Sequence, residues 1–267
     1  MEPTIGWFVT IASLSSLAWA GGYYLGKRSS SVARVTLLAG LTCMGLWTWL
    51  HYHPAVAVKL IPVALLSRIE GVGSVPIFML LLGLAWARAQ LPRQKRVISW
   101  AIMFGAVFFI HGGMWMLQST PEQGFASTVS AESIRQSQEY SCVPAASAHA
   151  LTLLGFPTSE KYMARLSQTR PGTGSTMIRA MQGLNERLKG TPYTVELLEV
   201  KPEELRYLPY PILTTFRYEP TQFHMVTITD VTDTDIMVAD PIEGNMKASW
   251  TTLDTVFSGQ VLVFVRR

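Results

Sequence analysis

Cysteine is nearly missing from this 267-residue sequence, and the two present, Cys43 and Cys142, stand in unlike surroundings. Cys43 lies inside an apolar run and Cys142 in a polar stretch, so a disulfide framework is excluded and no Cys pair has the spacing of a metal site. Acidic residues are scarce at the front: of 18 Asp and Glu, only Glu2 and Glu70 fall within residues 1–117. Those same residues hold all but one of the eight Trp and nearly all the long apolar runs. One half is composed for lipid and the other for water. The formal charge of +4 does not call for a nucleic-acid partner, because the Lys and Arg of the first half flank apolar spans, where loop charge sets membrane orientation.

Ile5 to Leu25 is 21 residues without a charge, the length that carries a helix across about 30 Å of hydrocarbon. Positive charge follows this run, at Lys27, Arg28 and Arg34, whereas a cleaved signal peptide carries it in front; an uncleaved anchor is expected. Further spans are expected from Val35 to about Leu50, closed by the aromatic cluster Trp47, Trp49 and Tyr52, from about Val72 to Ala87, and from Val97 to Leu117. Residues 1–117 are thus expected to be an all-α membrane domain of about four helices in a bacterial cytoplasmic membrane. Lys27, Arg28, Arg34, Arg88, Arg93, Lys95 and Arg96 fall on one side of it, against Lys59 and Arg68 on the other. The positive-inside rule then puts both ends of this domain outside the cytoplasm. Pro54 to Glu70 is apolar but broken by Lys59, Pro62 and Arg68 and reads as interfacial or re-entrant. His51, His53 and His111 have no carboxylate beside them, and anchoring and helix packing are their expected roles.

Residues 118–130, rich in Ser, Thr, Gln and Gly, mark a linker, and residues 131–267 are long enough for one core. A helix is predicted from Cys142 to its stop at Gly155, a second over Lys161 to Leu166 with Ser159 as N-cap, and a third from about Thr176 to Leu188. Short runs rich in β-branched residues follow: Tyr193 to Val200, Ile212 to Phe216, Met225 to Thr229, Ile236 to Ala239 and Val261 to Val265. Helices first and strands afterwards is the α+β pattern.

Cys142 at a helix start is placed where unpaired backbone N–H groups favour a thiolate and can hold an oxyanion. A buried structural cysteine is the plainer alternative. A thiol nucleophile needs a base, and an imidazole base needs a group to orient it. His224 opens one predicted strand and Asp240 ends the next, at the open end of a hairpin turning at Asp233 to Asp235. His149 is seven residues along the Cys142 helix, about 10 Å away by helical rise, and is expected to pack.

These features together resemble the papain-like cysteine peptidases that cleave double-glycine leader peptides from bacteriocins and related secreted peptides. The motifs that carry the resemblance are Gln136, Cys142-Val143-Pro144-Ala145-Ala146, Gly172-Thr173-Gly174-Ser175, His224-Met225-Val226 and Asp240-Pro241, in that order over about residues 130–267. The resemblance implies Cys142 as nucleophile, His224 as base and then acid, Asp240 as its orienter and Gln136 as oxyanion donor, with Gln138 at a less fitting spacing. It also implies a substrate groove lined by Gly172, Thr173, Gly174 and Ser175, with Val143, where relatives carry Gly, narrowing the approach. A peptide or protein substrate is expected, with no metal and no cofactor. No ATP-binding cassette is expected after this domain, the membrane part is too short for an exporter, and a membrane complex or exporter is an expected partner. A silent peptide-binding domain and a thioesterase, amidase or transpeptidase use the same groups and are the competing expectations.

Overall fold

The structure is a computed structural model that describes residues 3–118, 121, 123–126, 135–219 and 222–267. Most of the expected linker at 118–130, and the expected start of the soluble domain at 131, lie outside the described residues. Two compact units are formed, one by residues 1–60 with 68–119 and the other by residues 61–67 with 120–267.

The first unit is helical. Helix α1 (Pro3–Gly26) runs until Lys27, and Ser29 caps α2 (Ser30–Tyr52) by accepting from the Val32 amide. Two seven-residue helices, α3 (Pro54–Leu60) and α4 (Val63–Ile69), follow. Helix α5 (Val75–Arg88) and helix α6 (Pro92–Leu117) complete the series. Hydroxyls on these helices bond back onto their own helix: Thr10, Ser15, Thr36 and Thr48 each donate to the carbonyl four residues back, which satisfies them without a further partner.

Among the described residues, three helices, α1, α2 and α6, are long and apolar enough to cross a membrane. The third of the expected spans is instead the 14-residue α5, about 21 Å by helical rise and short of about 30 Å of hydrocarbon. Its expected first residues go into a turn in which Gly71 takes φ +81°. Helix α5 lies against α1 at backbone distance: a Cβ on Gly22 would stand 2.0 Å from the Leu80 carbonyl oxygen, and one on Gly83 would stand 2.1 Å from that of Trp19. Arg88, at the end of α5, donates to the Arg28 carbonyl (2.9 Å), so one end of the helical unit gathers the basic turns. Phe8 and Phe109 stack toward its other end.

The second unit is α+β. Helix α7 (Cys142–Leu153) ends where Gly155 takes φ +82°. Helix α8 (Glu160–Leu166) is capped by Ser159 and starts one residue before the predicted body, while α9 (Met177–Arg187) is capped by Thr176. Then come β1 (Tyr193–Glu199), a short 3-10 helix (Pro202–Tyr207), β2 (Ile212–Glu219), β3 (Gln222–Val231), β4 (Asp235–Asp240), β5 (Gly244–Ser249), α10 (Trp250–Val256) and β6 (Phe257–Arg266). All neighbours in the sheet are antiparallel, in the order β1-β6-β2-β3-β4-β5. Phe216, Val226, Ile228 and Val261 pack with Leu205 and Leu253 from the 3-10 helix and α10. The alternate positions, among them Leu213, Met225 and Leu262, are equally buried, and α7 packs on β2 and β3. Strand β5 was not expected, because Gly-Asn-Met-Lys-Ala-Ser has no β-branched residue; its pairing with β4 at the sheet edge forms it.

Candidate active site

The β3–β4 hairpin sets the first two groups of the site. Val231 pairs with Ile236 next to the turn, and a register shift between Ile228 and Asp230 moves the ladder by one residue, so that Thr227 pairs with Ala239. Continuing that register puts Asp240 opposite Val226 and makes His224, two residues further, its diagonal neighbour on the same side of the ladder. The unequal distances of His224 and Asp240 from the turn are absorbed in this way. His224 Nε2 and Asp240 Oδ1 stand 2.9 Å apart, and both residues are buried, at 6% and 1% exposure. Asp240 Oδ1 also accepts from the amides of Ile242 (2.7 Å) and Glu243 (3.2 Å), so the Asp-Pro turn wraps back onto its own carboxylate.

Cys142 is the first residue of α7 and only partly buried. Thr227 donates to the Ala146 carbonyl (3.1 Å), tying β3 to the helix one turn beyond the thiol. The Cys142 side chain hydrogen-bonds His224. With Nε2 committed to Asp240, Nδ1 is the ring nitrogen left for the sulfur. Burial by itself pushes His224 down, but the hydrogen bonds and charges of Asp240 and Cys142 together outweigh it and hold the imidazole up at about 9. Burial pushes Asp240 up in the same way, and the His224 bond and the two turn amides overcome this to hold it down at about 2.

Gln136 reaches this region through its backbone, whose amide donates to the carbonyl of Pro241, the residue after Asp240 (2.8 Å). Its side-chain Nε2 donates one N–H to the Glu139 carbonyl (3.3 Å), which leaves the second N–H for another acceptor. The side chain of Gln138 is committed elsewhere, donating to Gly124 at 2.7 Å. Gly174 takes φ +64°, bridges to Arg170 and lies where an added Cβ would meet the Tyr140 carbonyl oxygen at 3.1 Å, so the loop bearing Gly172 and Thr173 packs at Gly174 on the backbone two residues before Cys142. Ser175 turns back from the loop to the Ser167 carbonyl (2.6 Å). Val143 is 4% exposed, so its side chain is part of the core beneath α7 and offers little surface to a ligand. His149 is buried in the same helix. No cluster of His, Cys, Asp and Glu suited to a metal occurs among the described residues.

One group escaped the sequence reading. Glu160 is 0% exposed and accepts from the Ser137 amide (3.0 Å), the Ser137 hydroxyl (2.6 Å), the Ser141 hydroxyl (2.5 Å) and the Ala126 amide (3.1 Å). In sequence it is simply an acidic residue after an N-cap serine, a common helix-start pattern that carries no sign of its partners.

Residues 130–267 match the profile of the Peptidase C39 family. A 134-residue stretch, 50% of this chain, is 29% identical to an uncharacterized protein of Methanothermobacter marburgensis and covers 87% of that protein. The fold is similar to the peptidase domain of Streptococcus ComA, a bi-functional ABC transporter of a quorum-sensing pathway, at 15% identity and a TM-score of 0.46, covering 52% of this chain and 100% of that one. It is also similar to a double glycine motif protease from an AMS/PCAT transporter in complex with the leader peptide, at 18% identity and a TM-score of 0.44, covering 54% and 96% of the two chains.

Proposed function

Because the chain belongs to the Peptidase C39 family through residues 130–267, we propose that it is a membrane-anchored cysteine peptidase acting through Cys142, His224 and Asp240. The observation that supports this most directly is the linked set at the head of α7: Cys142 bonded to His224, and His224 bonded at 2.9 Å to a buried Asp240. A structural cysteine needs no such partner.

In this reading Cys142 Sγ, its proton passing to His224, attacks the carbonyl carbon of the scissile peptide bond. The carbonyl electrons pass to oxygen, which the Cys142 backbone N–H and Gln136 Nε2 receive. Collapse expels the amine, which takes its proton from His224, and leaves a thioester on Cys142. His224, now neutral, deprotonates a water that attacks the thioester, and the carboxylic acid departs as the thiol is restored. Asp240 keeps the ring oriented and stabilises the imidazolium. The loop at 172–175 lines the groove, where two glycines leave room for the backbone of a peptide.

The substrate is a peptide or protein, and an exporter or other membrane complex is the partner that would present it. Basic residues gather at the end of the helical unit holding the Arg88–Arg28 contact, and the positive-inside rule makes that end cytoplasmic. Helix α6 then leads into the peptidase domain on the opposite, extracytoplasmic side.

At pH 7 iodoacetamide should modify Cys142 of the purified chain far faster than a free thiol peptide whose pKa is near 8.5. Cells carrying Cys142→Ala should accumulate an uncleaved precursor visible by mass spectrometry in membrane and exported fractions. Alkylation no faster than the free peptide, with unchanged peptide profiles, would sink the reading.

A further inference from the structure

We infer that Glu160 is a positioning residue for the oxyanion site: its buried carboxylate clamps the 136–141 loop so that Gln136 and the Cys142 amide are held ready for the tetrahedral intermediate. The inference rests on the peptidase reading and deepens it.

The loop between Gln136 and Cys142 has little regular structure of its own. Its backbone is fixed at its first residue by the Gln136 amide on the Pro241 carbonyl, and its last residue, Ser141, precedes the thiol. Between these ends the loop is tied to a single carboxylate. Oε1 accepts from the Ser137 amide at 3.0 Å and the Ser141 hydroxyl at 2.5 Å; Oε2 accepts from the Ser137 hydroxyl at 2.6 Å. Ser141 has one hydroxyl proton, and the carboxylate takes it, because its distance is shorter than the 2.9 Å to the Gln138 carbonyl. The Ser141 oxygen stays free to accept from the Gln138 amide at 3.0 Å. Ser141 is the N-cap residue of α7, yet its side chain does not cap the helix. The usual capping contact gives up a small stabilisation, and the hydroxyl serves the carboxylate instead.

Among the described residues each hydrogen-bond partner of Glu160 donates to it, which suits a group with acceptor oxygens only. Glutamine has the same shape but turns one oxygen into an NH2, which would face two of these donors. Glu160 stands at the first position of α8, itself packed on α7, so the clamp refers the loop to the rigid part of the domain. The fourth donor, the Ala126 amide, brings the chain entering the domain onto the same carboxylate, and the Lys161 amide holds the Ala126 carbonyl at 3.0 Å. Oxyanion donors act only when placed in advance, so a loosened loop should harm stabilisation of the tetrahedral species more than the nucleophile itself.

The test uses the full chain in detergent and two probes for Cys142. Iodoacetamide reacts by displacement: the C–S bond forms as iodide leaves, with no oxyanion. The aldehyde acetyl-glycyl-glycinal adds the thiol across its carbonyl, the sulfur bonding to carbon and the proton going to oxygen, so its hemithioacetal uses the oxyanion site. In Glu160→Gln the iodoacetamide rate should stay within about threefold, while the aldehyde concentration that half-protects Cys142 should rise about tenfold or more, a fraction of the loss from deleting one oxyanion donor. Hydrogen exchange at the Ser137 and Ala126 amides should quicken. Glu160→Asp, which keeps two acceptor oxygens, should recover part of the aldehyde affinity. If Glu160→Gln does not fold, Ser141→Ala removes one of the ties and should move both readouts in the same direction. Unchanged aldehyde protection and exchange, or equal loss for both probes, would overturn the inference. A wild-type chain whose Cys142 is neither reactive nor protected would overturn the peptidase reading instead, and the exchange measurement would still decide whether Glu160 holds the loop.

Discussion

His224 and Asp240 are each held in the ionised form by the other, and the pH at which this arrangement fails follows from the direction of each shift. His224 is raised, so its contribution to stability is complete below its ordinary value of 6.5 and is lost as pH rises through about 9. Asp240 is lowered, so its contribution is complete above 3.8 and is lost as pH falls toward about 2. Urea denaturation of the full chain should therefore have a lower midpoint at pH 9.5 than at pH 6, and the difference should shrink in His224→Ala. In Asp240→Asn the His224 midpoint, followed by NMR, should fall by about one unit or more as the carboxylate charge is removed; a midpoint still near 9 would assign the shift to Cys142 alone. Gln136 tests the oxyanion side. Gln136→Ala should lower kcat/KM on a cleaved precursor about 100-fold, with little change in the rate of Cys142 alkylation. The two glutamines look alike in sequence. Both side-chain amides already donate once, Gln136 to Glu139 and Gln138 to Gly124, and what separates them is that the Gln136 backbone is anchored on Pro241, next to Asp240.

At the scale of elements, the site is assembled from a helix start, a hairpin end and a loop, each made by a different local rule. The helix over Cys142–Leu153 was legible from its composition and its glycine stop, and the hairpin from its turn residues and β-branched runs. The bulge near Thr229 was not, because nothing in Ile228-Thr229-Asp230 distinguishes a bulged strand from a regular one, yet it puts His224 and Asp240 diagonal to each other. The loop at 170–175 depends on Gly174, where φ is +64° and the Tyr140 carbonyl lies close. A left-handed conformation costs a residue with a Cβ roughly 1–2 kcal/mol. Gly174→Ala should lower the thermal midpoint and slow precursor cleavage, because relief of the contact moves the loop from the head of α7. Gly172→Ala has open space around it and carries only the conformational cost, so the difference between the two variants isolates the Tyr140 contact.

At the scale of the whole molecule, a helical unit with three helices fit to cross a membrane shares one chain with an α+β peptidase-family domain. The proposed orientation has a direct check. In a chain whose own cysteines are replaced, Arg93→Cys should resist a membrane-impermeant maleimide until the cells are opened, and Lys189→Cys should react in intact spheroplasts. The reverse pattern would place the peptidase domain in the cytoplasm. Sequence by itself determined the division into an apolar and a polar half, the α+β order of the second, and the residue types from which a cysteine peptidase site can be built, because hydropathy, periodicity and capping are local properties of the chain. It placed the start of α5 at about Val72, three residues before the helix begins, since an apolar run does not reveal that residues 72–74 continue a turn from Gly71. Only the tertiary structure decided which groups meet. The His224–Asp240 pair, the Cys142 contact with His224 and the Glu160 clamp all join residues far apart in sequence, and such pairings depend on strand register and helix packing, which a linear pattern leaves open.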